Sequence, residues 1–172
     1  MLARAAGLEA VCFTEHDRLW PDADLRVLSE RHGIPVFGGA EVTTELGHIL
    51  VYGVDALPPG AFLAATLLRA VRAAGGLAVL AHPARAGQPQ VARARLAALF
   101  DSVEVLNGSD GPAQNRAAAA LAAGLALPGI AGSDCHQPAE VGRAATVLPA
   151  RATTMFELIA VLRLGRHTVE SG

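Results

Sequence analysis

Short apolar runs and helix-patterned stretches take turns along this chain. Residues 8–13, 34–37, 49–54, 77–81, 103–106 and 127–131 are brief, almost wholly apolar and bounded by Gly, Pro or polar side chains. Runs of that length and uniformity predict parallel strands buried on both faces. Between them, residues 22–31, 61–74, 91–100 and 112–123 are rich in Ala, Leu and Arg, and Gly33, Gly75 and Gly124 follow three of the four. These predict helices with glycine stops. A further strand is expected at 144–148 and a last helix from Thr153 or Thr154 to about Leu164, where a hydroxyl can cap the first turn. The segment Thr-Glu-Leu-Gly-His (44–48) reads as a tight reversal, so 41–44 and 49–54 are expected to form a hairpin. The opening Met-Leu-Ala-Arg-Ala-Ala-Gly has the look of the last turns of a helix and its glycine stop. No repeat or linker divides the chain, so residues 1–172 are expected to form a single α/β domain.

Composition sharpens this picture by exclusion. With 172 residues, 52% hydrophobic and 17% charged, the chain can build a sizeable core and is too apolar for a disordered segment. All 14 basic residues are arginine, the formal net charge is −2 and no like-charge run exists, so no nucleic-acid or anionic-lipid partner is expected. Cys12 and Cys135 lack any paired spacing, which fits a reducing compartment, and a cytoplasmic location is the expectation. The apolar runs are too short to span a membrane, and no basic region leads into an apolar one at the N-terminus.

The ionisable residues are not scattered over this frame. Glu15, His16 and Asp17 follow the first predicted strand, and Glu41 follows the second. His48 starts the returning hairpin arm, His82 and Asn107 end the next two strands, and Asp134 with His136 follows the last. All would lie on one rim, the carboxyl ends of the strands, where parallel sheets and barrels place their chemistry. Clustered ionisable groups are costly to bury unpaired. Imidazoles and carboxylates without a cysteine pair form a ligand set for Zn, Mn or Fe in an open, catalytic site. Arg18, Arg85 and Arg143 are candidates for gripping a phosphate, because a guanidinium fork matches two phosphate oxygens. Asp17 or Glu15 could orient a ligand histidine by a hydrogen bond. Asn107 could touch substrate, but Asn107-Gly108 is equally a turn signal.

Six pieces of the chain resemble the polymerase and histidinol phosphatase (PHP) family: FTEHD (13–17), GGAEVTT (38–44), GHILVYG (47–53), LAHPAR (80–85), VEVLNG (103–108) and AGSDCH (131–136). They stand in family order over nearly the whole chain. The resemblance implies a distorted (β/α)7 barrel and a metal-dependent phosphoesterase. It implies His16, Glu41, His48, His82, Asp134 and His136 as ligands of one to three divalent ions. Among the phosphate-gripping arginines it favours Arg143, through Val-Gly-Arg-Ala (141–144). His16, Asp17 and Arg143 are expected to be catalytic, and Arg18, Arg85, Asn107 and Arg143 to face substrate. A small phosphorylated metabolite or nucleotide is the expected substrate. A carbon–nitrogen hydrolase on a similar barrel fits less well.

One departure from the pattern stands out. Family members open with a strand ending in Asp-x-His-x-His, and that motif is absent here. The expectation is therefore an N-terminally truncated PHP-like domain missing its first barrel strand. A barrel so opened exposes unpaired strand edges, which favour homo-oligomers. The alternative is a degenerate PHP-like binding or regulatory domain with an incomplete metal site and little catalysis.

Overall fold

The computed structural model describes residues 2–87 and 93–172. Six strands form one curled, half-barrel sheet in the order β1 (Val11–His16), β2 (Val36–Thr44), β3 (Gly47–Tyr52), β4 (Leu77–Leu80), β5 (Ser102–Asn107) and β6 (Gly129–Gly132). Each of the six apolar runs supplies one strand. β1 pairs parallel with β2, and β5 runs parallel to both β4 and β6, as such runs predict. β3 differs: it lies antiparallel to both neighbours, because the expected reversal turns the chain over Glu45 and Leu46. Thr44 builds that turn. Its hydroxyl donates to the Gly47 carbonyl at 2.7 Å and accepts from the Leu46 N–H at 3.2 Å, while Gly47 takes a φ of 100° that a side chain would resist.

A second, two-stranded sheet pairs β7 (Ala144–Val147) with β8 (Thr168–Ser171). It is tied to β6 through Thr146, whose Oγ1 accepts from Ala131 N–H at 2.9 Å and donates to the Ala131 carbonyl at 3.0 Å. A PHP-like barrel therefore fits loosely, as six strands in one sheet and a separate pair beside it. β8 is not announced by the sequence because only Val169 of its four residues is even partly buried.

The helices are α1 (Leu2–Ala5), α2 (Asp22–His32), α3 (Ala64–Ala73), α4 (Arg93–Leu99), α5 (Pro112–Leu125) and α6 (Met155–Leu164). Residues 91 and 92, where the third predicted helix would begin, lie outside the described residues. α2 stops at Gly33, which adopts the left-handed conformation and donates to the Ser29 carbonyl. α5 runs through Gly124 and ends at Ala126 instead, which takes a φ of 54°. Leu125 is the reason: the extra residue buries it against the core. Thr154 caps α6 in a reciprocal capping box with Glu157.

The sheet buries both faces. Ala40, Val42, Ile49, Val51, Leu80 and Val103 pack outward against Leu67, Leu68 and Val71 of α3 and Ala122 and Leu125 of α5. Phe37, Leu50, Tyr52, Leu77, Val79 and Ile130 point inward, where Leu158, Ile159 and Leu162 of α6 close the barrel floor. Each fully buried aliphatic side chain here contributes about 1.5–3 kcal/mol. Gly39 belongs to the inner row; a Cβ there would lie 2.8 Å from the Tyr52 ring and 2.6 Å from the Val51 carbonyl. Along the inner face apolar residues occupy the floor, and ionisable ones take over towards the rim. Among the described residues β1 pairs with β2 alone, so its outer edge faces a cavity of about 900 Å³ bounded on the far side by β6, the 132–136 segment and β7.

Candidate metal centre

Strand register assembles the first half of the site. His16 at the end of β1 stands beside Glu41 of β2, and Thr43 of β2 stands opposite His48 of β3. Glu41 and Thr43 share a face because alternate residues of a strand do, so Glu41 meets His48 diagonally. Its Oε1 lies 2.6 Å from His48 Nδ1 and 2.9 Å from His82 Nε2. The imidazoles of His16, His48 and His82 follow one another edge to face, with centroid separations of 5.2 and 5.1 Å. Ligand atoms of His16, Glu41 and His48 all lie within 4.8 Å of one another. A single divalent ion held by imidazole nitrogens and a carboxylate fits that spacing and that donor set. His82 shares Glu41 and stands ready to extend it.

Electrostatics bind this group tightly. Burial pushes the Glu41 carboxyl up, but hydrogen bonds from His82 and His48 and the charges of His82 and His16 outweigh it and bring the pKa down to about 2. Burial likewise opposes protonation of His82, and the hydrogen bond to Glu41 with the charges of Glu104 and Glu41 overcomes it, so His82 titrates above its ordinary value. His82 also takes a φ of 27°, the left-handed region that a side chain adopts at a cost of about 1–3 kcal/mol and that clusters at functional sites.

The second half gathers around Asp134. Its Oδ2 accepts from Arg85 Nη2 at 2.7 Å and from Asn107 Nδ2 at 3.3 Å. Arg85 is held from the other side by Asp110 Oδ1 at 2.6 Å and by Asn107 Oδ1 at 3.1 Å. The Asp134 carboxylate, itself on a φ of 47°, is thus aimed by a three-residue clamp. His136 is open, its side chain 70% exposed, with Nδ1 3.1 Å from the Asp134 carbonyl. The two halves meet on the wall of one cavity, lined by His16, Glu41, His82, Asn107, Asp134 and His136 among others.

The remaining predicted residues sort as follows. The Asp17 carboxylate accepts from the Thr43 N–H at 2.9 Å and the Thr43 hydroxyl at 3.2 Å, so it fastens the end of β1 to β2. Arg18 is exposed and stacks on Trp20, with its guanidinium 5.8 Å from the ring centre, and Trp20 in turn meets Phe13 edge to face. Arg143 is exposed beside the Asn107-Gly108 turn: a Cβ on Gly108 would stand 2.9 Å from its Cβ. Its charged end touches Glu140 at 3.4 Å. Asn107 shapes the turn, its Oδ1 accepting from the Ser109 N–H, while its Nδ2 faces Asp134.

Two participants escaped the sequence reading. Asp110 sits in a loop with nothing to mark it. Glu104 interrupts the apolar run of β5, is only 4% exposed, and accepts from the His82 N–H at 2.9 Å and from Asn107 Nδ2 at 3.1 Å. A carboxylate inside a strand buried on both faces was itself the signal. Burial lifts its pKa to about 7, against the hydrogen bonds from Asn107 and His82.

The rim of this α/β half-barrel gathers imidazoles and carboxylates, a donor set that suits a divalent ion. Known proteins share the fold. Residues 112–167 match the PHP-associated family, PHP_C. The crystal structure of PsfC from Pseudomonas syringae matches with a TM-score of 0.77 and 24% identity, over 99% of this chain and 80% of that one. A protein from Bifidobacterium adolescentis assigned as a metal-dependent phosphoesterase matches with a TM-score of 0.57 and 17% identity, over 79% of this chain and 80% of its own. An amidohydrolase from Chromobacterium violaceum, with bound sulfate and no metal, matches with a TM-score of 0.63 and 19% identity, over 81% of each chain. No curated protein matches the sequence. The family model covers about a third of the chain, and the solved structures, at 17 to 24% identity, share the fold. No helix among the described residues is long and apolar enough to cross a membrane.

Proposed function

We propose that this protein is a metal-dependent hydrolase of phosphate esters acting on small phosphorylated molecules. The observation that carries the reading is the convergence of His16, Glu41 and His48 on one point, with His82 on the same carboxylate. His16, Glu41, His48 and His82 would hold one divalent ion, and Asp134 with His136 would serve a neighbouring one. Zinc, manganese and iron all suit these donors, and one to three ions is the expected range. When bound, such an ion lowers the pKa of a water towards neutrality and offsets charge on phosphoryl oxygens.

This chain's own side chains would supply the rest. Glu41 fixes the orientation of two imidazoles at once, through His48 Nδ1 and His82 Nε2. Asp17 keeps His16 in register by locking the end of β1 to Thr43. Arg143 and Arg18, both exposed near the rim, would grip the phosphate. Arg85 is engaged by Asp110 and Asp134, so its contribution would run through the placement of Asp134.

A second reading draws on the open outer edge of β1 and the exposure of His136: a degenerate PHP-like domain that binds a metal or ligand with little turnover. Metal analysis after loading with Mn²⁺ or Zn²⁺, combined with turnover of p-nitrophenyl phosphate and bis(p-nitrophenyl) phosphate, separates the two. Stoichiometric metal with chelator-sensitive turnover is expected. Metal uptake without turnover of either ester or of a panel of sugar phosphates and nucleotides would favour the binding domain, and absence of metal uptake would refute the hydrolase.

A further inference from the structure

β5 carries an irregularity between Glu104 and Leu106: Glu104 pairs with Ile130 and Leu106 with Ala131, leaving Val105 as an extra residue. In a regular strand, residues three apart face opposite sides. The bulge cancels that alternation, and Glu104 and Asn107 both turn inward, 4% and 2% exposed. Bulges commonly re-aim side chains beside active sites. Here the result is a buried carboxylate that touches both halves of the site. Glu104 Oε2 takes the His82 N–H at 2.9 Å and Asn107 Nδ2 at 3.1 Å, and the same Asn107 nitrogen reaches Asp134 at 3.3 Å. Room for the other oxygen comes from β6, where a Cβ on Gly132 would lie 3.0 Å from Glu104 Oε1.

From this geometry, and resting on the metal-centre reading above, we propose that Glu104 is a positioning residue that sets His82 and, through Asn107, Asp134 in ligand geometry. The His82 end of the link is the sharper one. With a φ of 27° the His82 backbone is in a conformation that needs compensation, and its N–H supplies it by donating to the Glu104 carboxyl, a bond that is charge-assisted once that group ionises above about 7. Without that acceptor the backbone relaxes and Nε2 withdraws from Glu41. At the other end, Asn107 Oδ1 is already committed to Arg85 and the Ser109 N–H, so the amide cannot flip to suit a new neighbour. Both bonds end on Glu104 Oε2, so a glutamine that seats its carbonyl oxygen there keeps both contacts but removes the negative charge, and both links weaken.

The test, run near pH 8 where the Glu104 carboxyl is mostly ionised, uses Glu104→Gln, which preserves shape, and Glu104→Asp, which preserves charge but shortens the reach. In metal-free protein, the His82 backbone amide proton of wild type should resonate downfield, and in E104Q that shift and the His82 ring signals should move. Calorimetric titration with Mn²⁺ should show affinity lower by about 10- to 100-fold in E104Q, the usual effect of removing a group that orients ligands, with E104D between it and wild type. Unchanged His82 signals, or Mn²⁺ affinity in both variants equal to wild type, would overturn the proposal. If wild type itself takes up no Mn²⁺, the functional reading fails, while the His82 signals of the metal-free variants still decide the positioning role.

Discussion

Glu41 offers the most quantitative handle on this site. Its carboxyl falls from the ordinary 4.5 to about 2, and its side chain is only 10% exposed, so solvent screens the interaction little. At about 1.4 kcal/mol per pH unit, that fall corresponds to about 3 kcal/mol of folded-state stability. The sign follows from the direction: a lowered carboxyl stabilises above its unfolded value and loses that contribution as pH falls through about 2. The imidazole partner runs the other way. His82 is raised above 6.5, so its share is complete below 6.5 and fades as pH climbs through the folded value. The two windows overlap between about 4.5 and 6.5. For Glu41→Gln, which keeps the shape and removes the charge, the stability gap to wild type should therefore be bell-shaped in pH, about 3 kcal/mol near pH 5.5 and narrowing on both sides. Urea unfolding of chelator-treated proteins, followed by circular dichroism from pH 2 to pH 8, measures it. A gap that is absent at pH 5.5, or constant across that range, would refute the electrostatic account of the Glu41 cluster.

Two further outcomes follow from other parts of the fold. Arg143→Ala should raise KM for a phosphate ester by about tenfold or more, the loss of a charged hydrogen bond, with a change in unfolding free energy below about 0.5 kcal/mol, as expected of an exposed residue. Steady-state kinetics and a thermal melt check both halves. Thr154→Ala should cost about 1 kcal/mol through loss of the α6 cap and leave Mn²⁺ affinity unchanged, because the cap supports the barrel floor and not the rim.

Much of the local architecture was legible in the chain. The six apolar runs each became a strand, the 44–48 reversal became the hairpin turn, and Thr154 capped the last helix because a hydroxyl at that position satisfies an otherwise unpaired N–H. The convergence of His16, Glu41 and His48 was readable too, since strand ends share a rim. Three things were not. β8 carries almost no buried surface to betray it. α5 overran its glycine because Leu125 finds a place in the core, a fact about the neighbours and not about Gly124. Arg85 looked like a free cation for phosphate, and only folding brings Asp110 and Asp134 to it across 25 and 49 residues.

The sequence by itself determined how many strands the main sheet has and which donor types lie towards its rim, because hydrophobic periodicity and turn chemistry act over a few residues; strand ends it missed by up to seven residues, as β2 runs on to Thr44 and takes in Glu41. Only the tertiary structure decided which of those donors touch. A one-residue bulge in β5 turned Glu104 towards His82 and Asn107, and no periodic pattern records where a strand departs from its period.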